Sequence, residues 1–395
     1  MATSIGIGFS QATDPREAAL QASVQAKHQL NSPQVDLVLL LTTPYYSKPD
    51  TLAIVHDTLR PAKCIGSSAG GIILSEGIAG RGIAVLAMAS DDIRLGIGTV
   101  DNMSNGDLRQ NGRDLARKAV TDLNMPARQA FLCFSDPVTK DQGLFISGLQ
   151  EALGLGFLIA GGVSSDHFKF RNLCQYAQEQ LLTHAAVGLL IGGSCQVAFS
   201  SRHGFKPLGK PRTITKATGN VIRTIDDQPA VHVYEHYLPS EAEALQKNFL
   251  NSHAPLYPLG IFLEEEKQYL LRNPVDILAD GSIVCQGDVP QGAEMHVMIT
   301  NKESCRQAAQ QAAQEIKDAL AGKPPKLVLV LEAISRQRIL AQTGLAEIQA
   351  IKDVLGYNTP LLGMYTYGEI APLGDLNNIK SVRWHNGNLI LFAIA

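Results

Sequence analysis

The feature that most constrains this chain is a threefold repeat of strands and helices. Each repeat runs strand, Ala-rich helix, strand, helix and strand, and ends in a loop marked by glycine. The loops read CIGSSAGG at 64–71, LIAGGVSSD at 158–166 and LLGMYTYGEIAP at 361–372. Because ligands of open α/β sheets collect in loops at the carboxyl ends of strands, these loops are the first candidates for a functional site.

The middle strand of each repeat is a continuous apolar run. These runs are DLVLLL at 36–41, QAFLCF at 129–134 and KLVLVL at 326–331. Such runs are typical of strands that are buried on both faces, in the centre of a sheet covered by helices. The pattern predicts an α/β fold of repeated β-α-β-α-β units with added hairpins, forming mixed sheets flanked by helices in two or more domains.

The added hairpins are predicted where apolar strands flank a short turn. Such turns lie at 90–92, 192–194, 280–281 and 386–387. The last two contain Asp-Gly and Asn-Gly, which are strong signals for a tight hairpin turn.

The length of the chain predicts at least two domains, because 395 residues exceed the roughly 250–300 residues of a single core. The clearest change in composition is the polar run TIDDQ at 224–228, which follows an apolar strand. We therefore expect one domain at 1–226, with two repeat units at about 1–103 and 104–226, and a second domain at 227–395.

Composition argues against several classes of protein. A net charge of −3 gives no general attraction for nucleic acid, and no apolar run reaches the roughly 18 residues that a membrane span needs. The chain starts without a basic segment followed by a long apolar one, and its six cysteines are scattered without a CxxC pair. We expect a cytoplasmic protein with reduced cysteines, with no cofactor and with neither nucleic acid nor membrane as a partner.

The third loop contains the richest set of functional groups. Tyr365, Tyr367 and Glu369 alternate, so a strand that continues through them places all three on one side. Two phenols and a carboxylate suit an amino-acid-like or amine ligand. The alternative is a packed strand in which the rings are buried and Glu369 pairs with a structural arginine.

Two arginines are candidates for binding the anionic end of the same ligand. Arg336 follows the third central strand and Arg272 follows the apolar strand QYLL. An arginine at either position could clamp a carboxylate or phosphate in a bidentate manner. Alternatively, each pairs with a neighbour in sequence, Glu332 or Asp276.

The first two loops offer backbone groups. Ser67 and Ser68 lie between glycines in the first loop, and Gly161 and Gly162 allow close backbone approach in the second. Backbone amides there could bind an anion. Tight turns beneath packed helices would need the same glycines.

Taken together, the loops, the segment HGFKPLGKPRTITKATGNVIRTIDDQPA and the closing GMYTYGEIAP resemble the N- and C-terminal FIST domains over about residues 26–372. The resemblance implies a bacterial sensory module in signal transduction that binds a small molecule such as an amino acid. We therefore expect a non-catalytic sensor whose ligand is an amino acid or a similar small zwitterion or anion. A separate signalling protein is the expected partner for any output.

The sequence is also consistent with other functions. The 66–70 loop fits GxSxG, which suggests a hydrolase or transferase, but the residues after it read as extended and not helical. A protein-interaction scaffold is the second alternative. His232, Glu235 and His236 fit HxxEH, although we expect no metal there. A basic stretch at 201–223 contains no acid and could attract an anionic ligand or an acidic partner.

Overall fold

Three six-stranded mixed sheets, one for each repeat, enclose a common apolar core. They are seen in a computed structural model that describes residues 3–137, 141–167, 169–239, 256–340, 344–373, 379 and 381–395. Alternate residues of the middle strands, such as Leu39, Leu132 and Leu329, enter this core. The residues between them face helices, which explains why the strands are apolar throughout. The predicted mixed sheets flanked by helices are confirmed.

The helices and strands follow one order in each unit. The first unit contains β1 (Ser4–Ser10), α1 (Pro15–His28), β2 (Leu37–Thr42), a 3-10 turn (Pro44–Tyr46), α2 (Pro49–Leu59), β3 (Lys63–Ser68), β4 (Ile72–Leu74), β5 (Gly77–Ala79) and β6 (Ile83–Ala89). The second contains β7 (Ile93–Val100), α3 (Leu108–Leu123), β8 (Arg128–Ser135), α4 (Gln142–Leu153), β9 (Ile159–Val163), β10 (Gln175–Ala177), β11 (Gln180–Leu182) and β12 (Ala186–Gly193). The third begins with β13 (Val197–Arg202).

An insertion interrupts the third unit. It contains β14 (Lys206–Thr218), β15 (Val221–Ile225), β16 (Gln228–Pro229), α5 (His232–Tyr237), β17 (Leu259–Leu263), β18 (Gln268–Arg272), β19 (Pro274–Ile277), β20 (Ile283–Cys285) and β21 (Glu294–Ile299). The unit resumes with α6 (Lys302–Ala319), β22 (Leu327–Ala333), α7 (Ile334–Leu340), α8 (Leu345–Leu355), β23 (Leu361–Thr366), β24 (Glu369–Pro372), β25 (Val382–His385) and β26 (Leu389–Ile394). No helix in the described part of the chain has the length and apolar character needed to cross a membrane.

Each unit lends a pair of short strands, here called its arm, to the sheet of another unit. The arm β4–β5 of the first unit pairs with β23 of the third. The arm β10–β11 of the second pairs with β3 of the first, and the arm β24–β25 of the third pairs with β9 of the second. Every unit thus gives one arm and receives another, which interlocks the three units in a closed ring.

The same topology corrects three of the four predicted hairpins. The strands that flank the turns at 90–92, 192–194 and 386–387 belong to different sheets and do not pair. The reason is that β6, β12 and β26 each lie in the interior of their own sheet. Each of these strands already pairs with a neighbouring strand on both of its edges. The hairpin at 280–281 is confirmed, since β19 pairs with β20.

The insertion folds as a separate eight-stranded sheet with its own apolar core. Its strands lie between β13 and α6 in sequence, so the third sheet of the ring combines a strand from before the insertion with strands from after it. The division of the chain into domains at 1–226 and 227–395 stays a prediction.

Paired glycines in the first strands of units one and two allow helices to lie directly on the backbone. A methyl group at Gly8 would overlap the carbonyl oxygen of Ala22 in α1, and one at Gly98 would overlap that of Leu115 in α3. The sequences Gly-Ile-Gly at these positions are therefore needed for close helix–strand packing.

We expect Gly8→Ala and Gly98→Ala each to lower the free energy of unfolding by about 1–3 kcal/mol or more, because the added methyl forces helix and strand apart. Gly80→Ala is the matched control, since a methyl there meets no atom within 4 Å. Urea denaturation of the three variants measures the effect. Equal stability of Gly8→Ala and Gly80→Ala would show that helix and strand are not in close contact at this position.

Candidate functional site

The three candidate loops meet at one end of the sheets. The hydroxyls of Ser67 and Ser164, from the first and second units, lie 2.8 Å apart. The Ser165 N–H donates to the carbonyl of Ser68 at 3.3 Å, and the Ser165 hydroxyl donates to the carbonyl of Tyr365 in the third loop. Direct hydrogen bonds therefore connect all three units at this end of the sheets.

The residues of this seam are tightly packed. Ser67 and Ser68 are fully buried, and the Ser68 hydroxyl accepts the N–H of Cys174 at 3.1 Å. A methyl at Gly161 would overlap the carbonyl oxygen of Cys133, and one at Gly162 would lie 2.6 Å from the Thr366 methyl. The glycines thus serve the packing between strands and between loops. Ligand contact by Ser67, Ser68, Gly161 and Gly162 stays a prediction.

The third loop does not continue as one strand, so the expected alternation of Tyr365, Tyr367 and Glu369 on one side is wrong. Strand β23 ends at Thr366, and β24 starts at Glu369 in the sheet of the second unit. The cause is a pair of hydrogen bonds that draws the chain across. The Tyr367 N–H donates to Val163 O at 3.1 Å, and the Val163 N–H donates to Gly368 O at 2.9 Å. Each of the three side chains consequently has its own surroundings.

Tyr365 lies with Arg336 in a buried ionic cluster. The guanidinium of Arg336 donates from Nε to Glu332 at 3.1 Å and from its two other nitrogens to Glu347 and to the carbonyl of His203. Burial and the neighbouring Glu347 hold the pKa of Glu332 well above its usual range. The Tyr365 hydroxyl and Oε2 of Glu347 have no hydrogen-bond partner among the residues that the structure describes.

Glu369 is buried among neutral donors. Its Oε1 accepts the Thr366 hydroxyl at 2.6 Å, and its Oε2 accepts the N–H groups of Gly387 at 3.2 Å and Asn388 at 3.1 Å. Burial raises the pKa of Glu369 to about 8, although these hydrogen bonds and the charge of Arg336 favour ionisation. His385 is the cross-strand neighbour on β25, and burial lowers its pKa to about 3.

Tyr367 lies outside that cluster, on the loop of the second unit. Its hydroxyl donates to Oδ1 of Asp166 at 2.6 Å, and its ring stacks on Phe170 with centroids 4.4 Å apart. Asp166 also accepts the backbone N–H groups of residues 169–172. Burial alone would raise the pKa of Asp166, but the donors from Tyr367 and the backbone hold it below its ordinary value.

Arg272 approaches the same place from the insertion. It is buried and donates only to carbonyls, from Nε to Asp288 at 2.9 Å and from Nη1 to Leu271 at 3.0 Å and Trp384 at 2.9 Å. Among the described residues, no carboxylate lies within ion-pair distance of it, and Asp276 is not its partner. Burial lowers the pKa of Arg272 to about 10, since the charged form is poorly solvated.

Trp384 is adjacent to both Tyr367 and Arg272. Its Nε1–H is buried, has no acceptor among the described residues, and lies directly against Gly368, next to Tyr367. Gln286 of the insertion donates to the Tyr367 carbonyl at 2.6 Å. We call the group that meets here, contributed by two units and the insertion, the junction site: Asp166, Phe170, Arg272, Gln286, Tyr367 and Trp384.

The sequence identified Tyr367 and Arg272 but missed the other members of the junction site. Asp166 closes the second loop and Trp384 is the one tryptophan of the sequence, and these features could have identified both. The structure does not place Arg336 or Glu369 there, because each is engaged elsewhere.

The structure also describes the residues of the GxSxG and HxxEH motifs. Within the described residues, no histidine or carboxylate is hydrogen-bonded to the Ser68 hydroxyl, and β4 continues the loop as a strand. His232 lies 3.7 Å from Glu235 on α5. The described part of the chain holds no cluster of three or more histidine, cysteine or acidic residues arranged to bind a metal.

Comparison with known proteins confirms the expected resemblance. The FIST N domain matches residues 36–228 and the FIST C domain matches residues 230–372. An uncharacterised protein of Mycobacterium tuberculosis is 25% identical over 386 residues, covering 94% of this chain and 96% of that protein. An uncharacterised protein of Mycobacterium bovis is 24% identical over 401 residues, covering 94% of this chain and 95% of that protein.

Two solved structures share a distant likeness in overall fold. Cyanuric acid hydrolase from A. caulinodans has a TM-score of 0.39 at 8% identity and covers 100% of this chain and 99% of that chain. A chorismatase has a TM-score of 0.38 at 8% identity, with 100% of both chains covered. At these values neither enzyme supports an inference about activity.

We expect Arg336→Met to lower the free energy of unfolding by about 3–5 kcal/mol, because it leaves buried carboxylates without their cation. Replacing Glu332, Arg336 and Glu347 together by apolar residues should restore much of that loss. Arg306→Met is the control, since the pair of Arg306 with Glu303 is exposed and contributes little to stability. Urea unfolding measures all three. A mild Arg336→Met effect, similar to that of the control, would contradict the buried-pair description.

Glu369 should make stability depend on pH. A carboxyl group whose pKa is raised in the folded state stabilises fully below its unfolded pKa, and this contribution is lost as the pH rises through the folded pKa, here about 8. Glu369→Gln removes the titration, so the wild type should lose stability relative to it between about pH 5 and 8, by roughly 1.4 kcal/mol for each pH unit. Urea midpoints of both proteins across this range test the expectation, and parallel curves would refute it.

Proposed function

Because the chain belongs to the FIST family, whose domains are sensory and signal-transduction modules, we propose that it binds a small zwitterion such as an amino acid at the junction site. The observation that carries this proposal is a buried guanidinium, Arg272, whose hydrogen bonds go to backbone carbonyls alone. A buried cation of this kind is unfavourable unless a counter-ion joins it.

The carboxylate of the ligand supplies that counter-ion. It would accept from Arg272 and from the Nε1–H of Trp384, which has no acceptor in the described protein. A buried donor without an acceptor costs about 1–3 kcal/mol. A carboxylate that reaches both groups would therefore offset the cost of the buried charge of Arg272 and the cost of the unpaired Trp384 N–H.

Acidic side chains near Arg272 would hold the ammonium group, since the charge of Asp288 acts on this guanidinium from beyond ion-pair distance. Burial and the nearby charge of Asp141 raise the pKa of Asp288, so the two carboxylates repel each other. An ammonium ion close to Asp141 and Asp288 would relieve this repulsion and lower the pKa of Asp288. With Arg272 near the carboxylate and these two acids near the ammonium group, the charges of the site suit a zwitterion better than a simple anion.

The aromatic pair of Tyr367 and Phe170 forms a wall for the rest of the ligand. Tyr367 is fixed by Asp166, whereas Phe170 stacks on it and is 47% exposed. A ligand side chain that covers Phe170 would change the surface formed by residues 169–172, which are exposed. A separate signalling protein could then distinguish the ligand-bound surface around Phe170 from the ligand-free one. Nothing in this chemistry requires a bond to be made or broken, so we propose a sensor without catalytic activity.

We expect amino acids to change the fluorescence of Trp384, because it is the one tryptophan of the chain and lies in the junction site. Titration with amino acids, with matching simple amines and with simple carboxylates separates zwitterion binding from binding of one charge. Arg272→Met and Asp288→Asn should each weaken the best ligand at least tenfold, as measured by calorimetry. Asp276→Asn, an exposed acid on β19 of the same insertion, is the matched control and should bind as the wild type does.

The proposal fails if no amino acid alters either fluorescence or melting temperature at millimolar concentration. It also fails if Arg272→Met, shown to be folded by circular dichroism, binds with unchanged affinity. Catalytic turnover of a bound ligand would move the assignment to an enzyme.

A further inference from the structure

A cleft of about 350 Å³ lies away from the junction site, where the insertion meets the third unit of the ring. One wall is the face of α6 that carries Gln307, and the others are the β13–β14 connection and the turn between β17 and β18. Asn388, which precedes β26, also lines the cleft. We call it the basic cleft.

The charge of the basic cleft is positive. No aspartate or glutamate lines it, whereas Arg202, Lys206 and Lys267 do. Arg202 is neutralised by an ion pair with Glu315. Lys206 and Lys267 have no ion-pair partner among the described residues, so two ammonium groups remain for a ligand. Lys206 belongs to the basic stretch that the sequence showed.

Asn388, which lines the basic cleft, has a buried acceptor atom. Asn388 is 4% exposed, and its Oδ1 has no hydrogen-bond partner among the residues described. The amide is held in place, since its Nδ2 donates to the Ser201 hydroxyl at 2.7 Å. A ligand that brings a hydroxyl donor would satisfy Oδ1 and recover roughly 1–3 kcal/mol of desolvation cost.

We propose that the basic cleft binds a small phosphate ester that carries hydroxyl groups. A phosphate monoester has a charge of about −1.5 to −2 near neutral pH, which matches the ammonium groups of Lys206 and Lys267. Its hydroxyl donates to Asn388 Oδ1. The Nε2 of Gln307 donates to Glu303 at 3.0 Å, which leaves Oε1 of the same amide to accept from a second hydroxyl of the ligand. The volume of the cleft is within the roughly 300–1,000 Å³ of small-molecule sites. This second site is independent of the amino-acid site proposed above.

Calorimetry in 0.15 M NaCl with glycerol 3-phosphate, inorganic phosphate and glycerol tests the assignment. Glycerol 3-phosphate should bind, inorganic phosphate should bind at least fivefold more weakly because it brings no alcohol donor, and glycerol should not bind. The double variant Lys206→Gln/Lys267→Gln should lose at least tenfold in affinity for glycerol 3-phosphate. Asn388→Asp, which puts a negative charge in the cleft, should lose more.

Lys302→Gln is the control, because Lys302 lies at the start of α6 and does not line the cleft. Both lysines of the double variant are at the surface, so that variant should fold, and its melting temperature checks this. The proposal is overturned if glycerol 3-phosphate does not bind at millimolar concentration, or if the double variant and Lys302→Gln bind it equally. Equal binding of inorganic phosphate and glycerol 3-phosphate would also overturn it, because a hydrogen bond from the alcohol to Asn388 would then contribute nothing to affinity.

Discussion

The exchange of arms is the constraint on which the rest of this structure depends. Each sheet is complete only when another unit supplies its last two strands, and the loops at the carboxyl ends are held by the same exchange. Backbone groups at a sheet edge must find partners when they are buried. The arms provide those partners, and for this reason the three loops are joined in one seam by direct hydrogen bonds.

This constraint explains how polar groups come to be buried at the seam. The arm of the third unit carries Glu369 into the sheet of the second unit, where the turn between β25 and β26 supplies its donors. Residues 384–388, which comprise the end of β25 and that turn, connect the junction site with the basic cleft. Trp384 at the start of this segment and Asn388 at its end each have a buried polar atom without a partner in the described protein. Unsatisfied groups of this kind are unfavourable in a folded protein, and native structures keep few of them.

The fold could be predicted from the sequence as far as its units, because local patterns determine them. The continuous apolar strands and the helix beginning at Pro15 needed only the residues nearby. The sheet pairings could not be predicted in the same way, since the turns at 90–92 and 192–194 look like hairpin turns but connect different sheets. Which edge a strand occupies depends on arms that come from elsewhere in the chain, and no short pattern carries that information.

The candidate site shows the same limit. Tyr367 and Arg272 were predicted as ligand-binding residues and lie together, but Arg336 has two carboxylates of its own and Glu369 turns toward a different sheet. The alternation of Tyr365, Tyr367 and Glu369 suggested one shared face, and the crossing of the chain at Gly368 removed it. Trp384 was not identified because its position depends on the third arm.

The closed ring of arms also limits how a chain of this kind can change during evolution. A fragment that lacked one unit would leave two sheets defective, one without the arm it receives and one without its own strands. The exposed edges would then be available to pair with other molecules and aggregate. Duplication, loss or transfer of a single unit is therefore disfavoured, whereas loops that face outward, such as the one that holds the large insertion between β13 and α6, can lengthen freely.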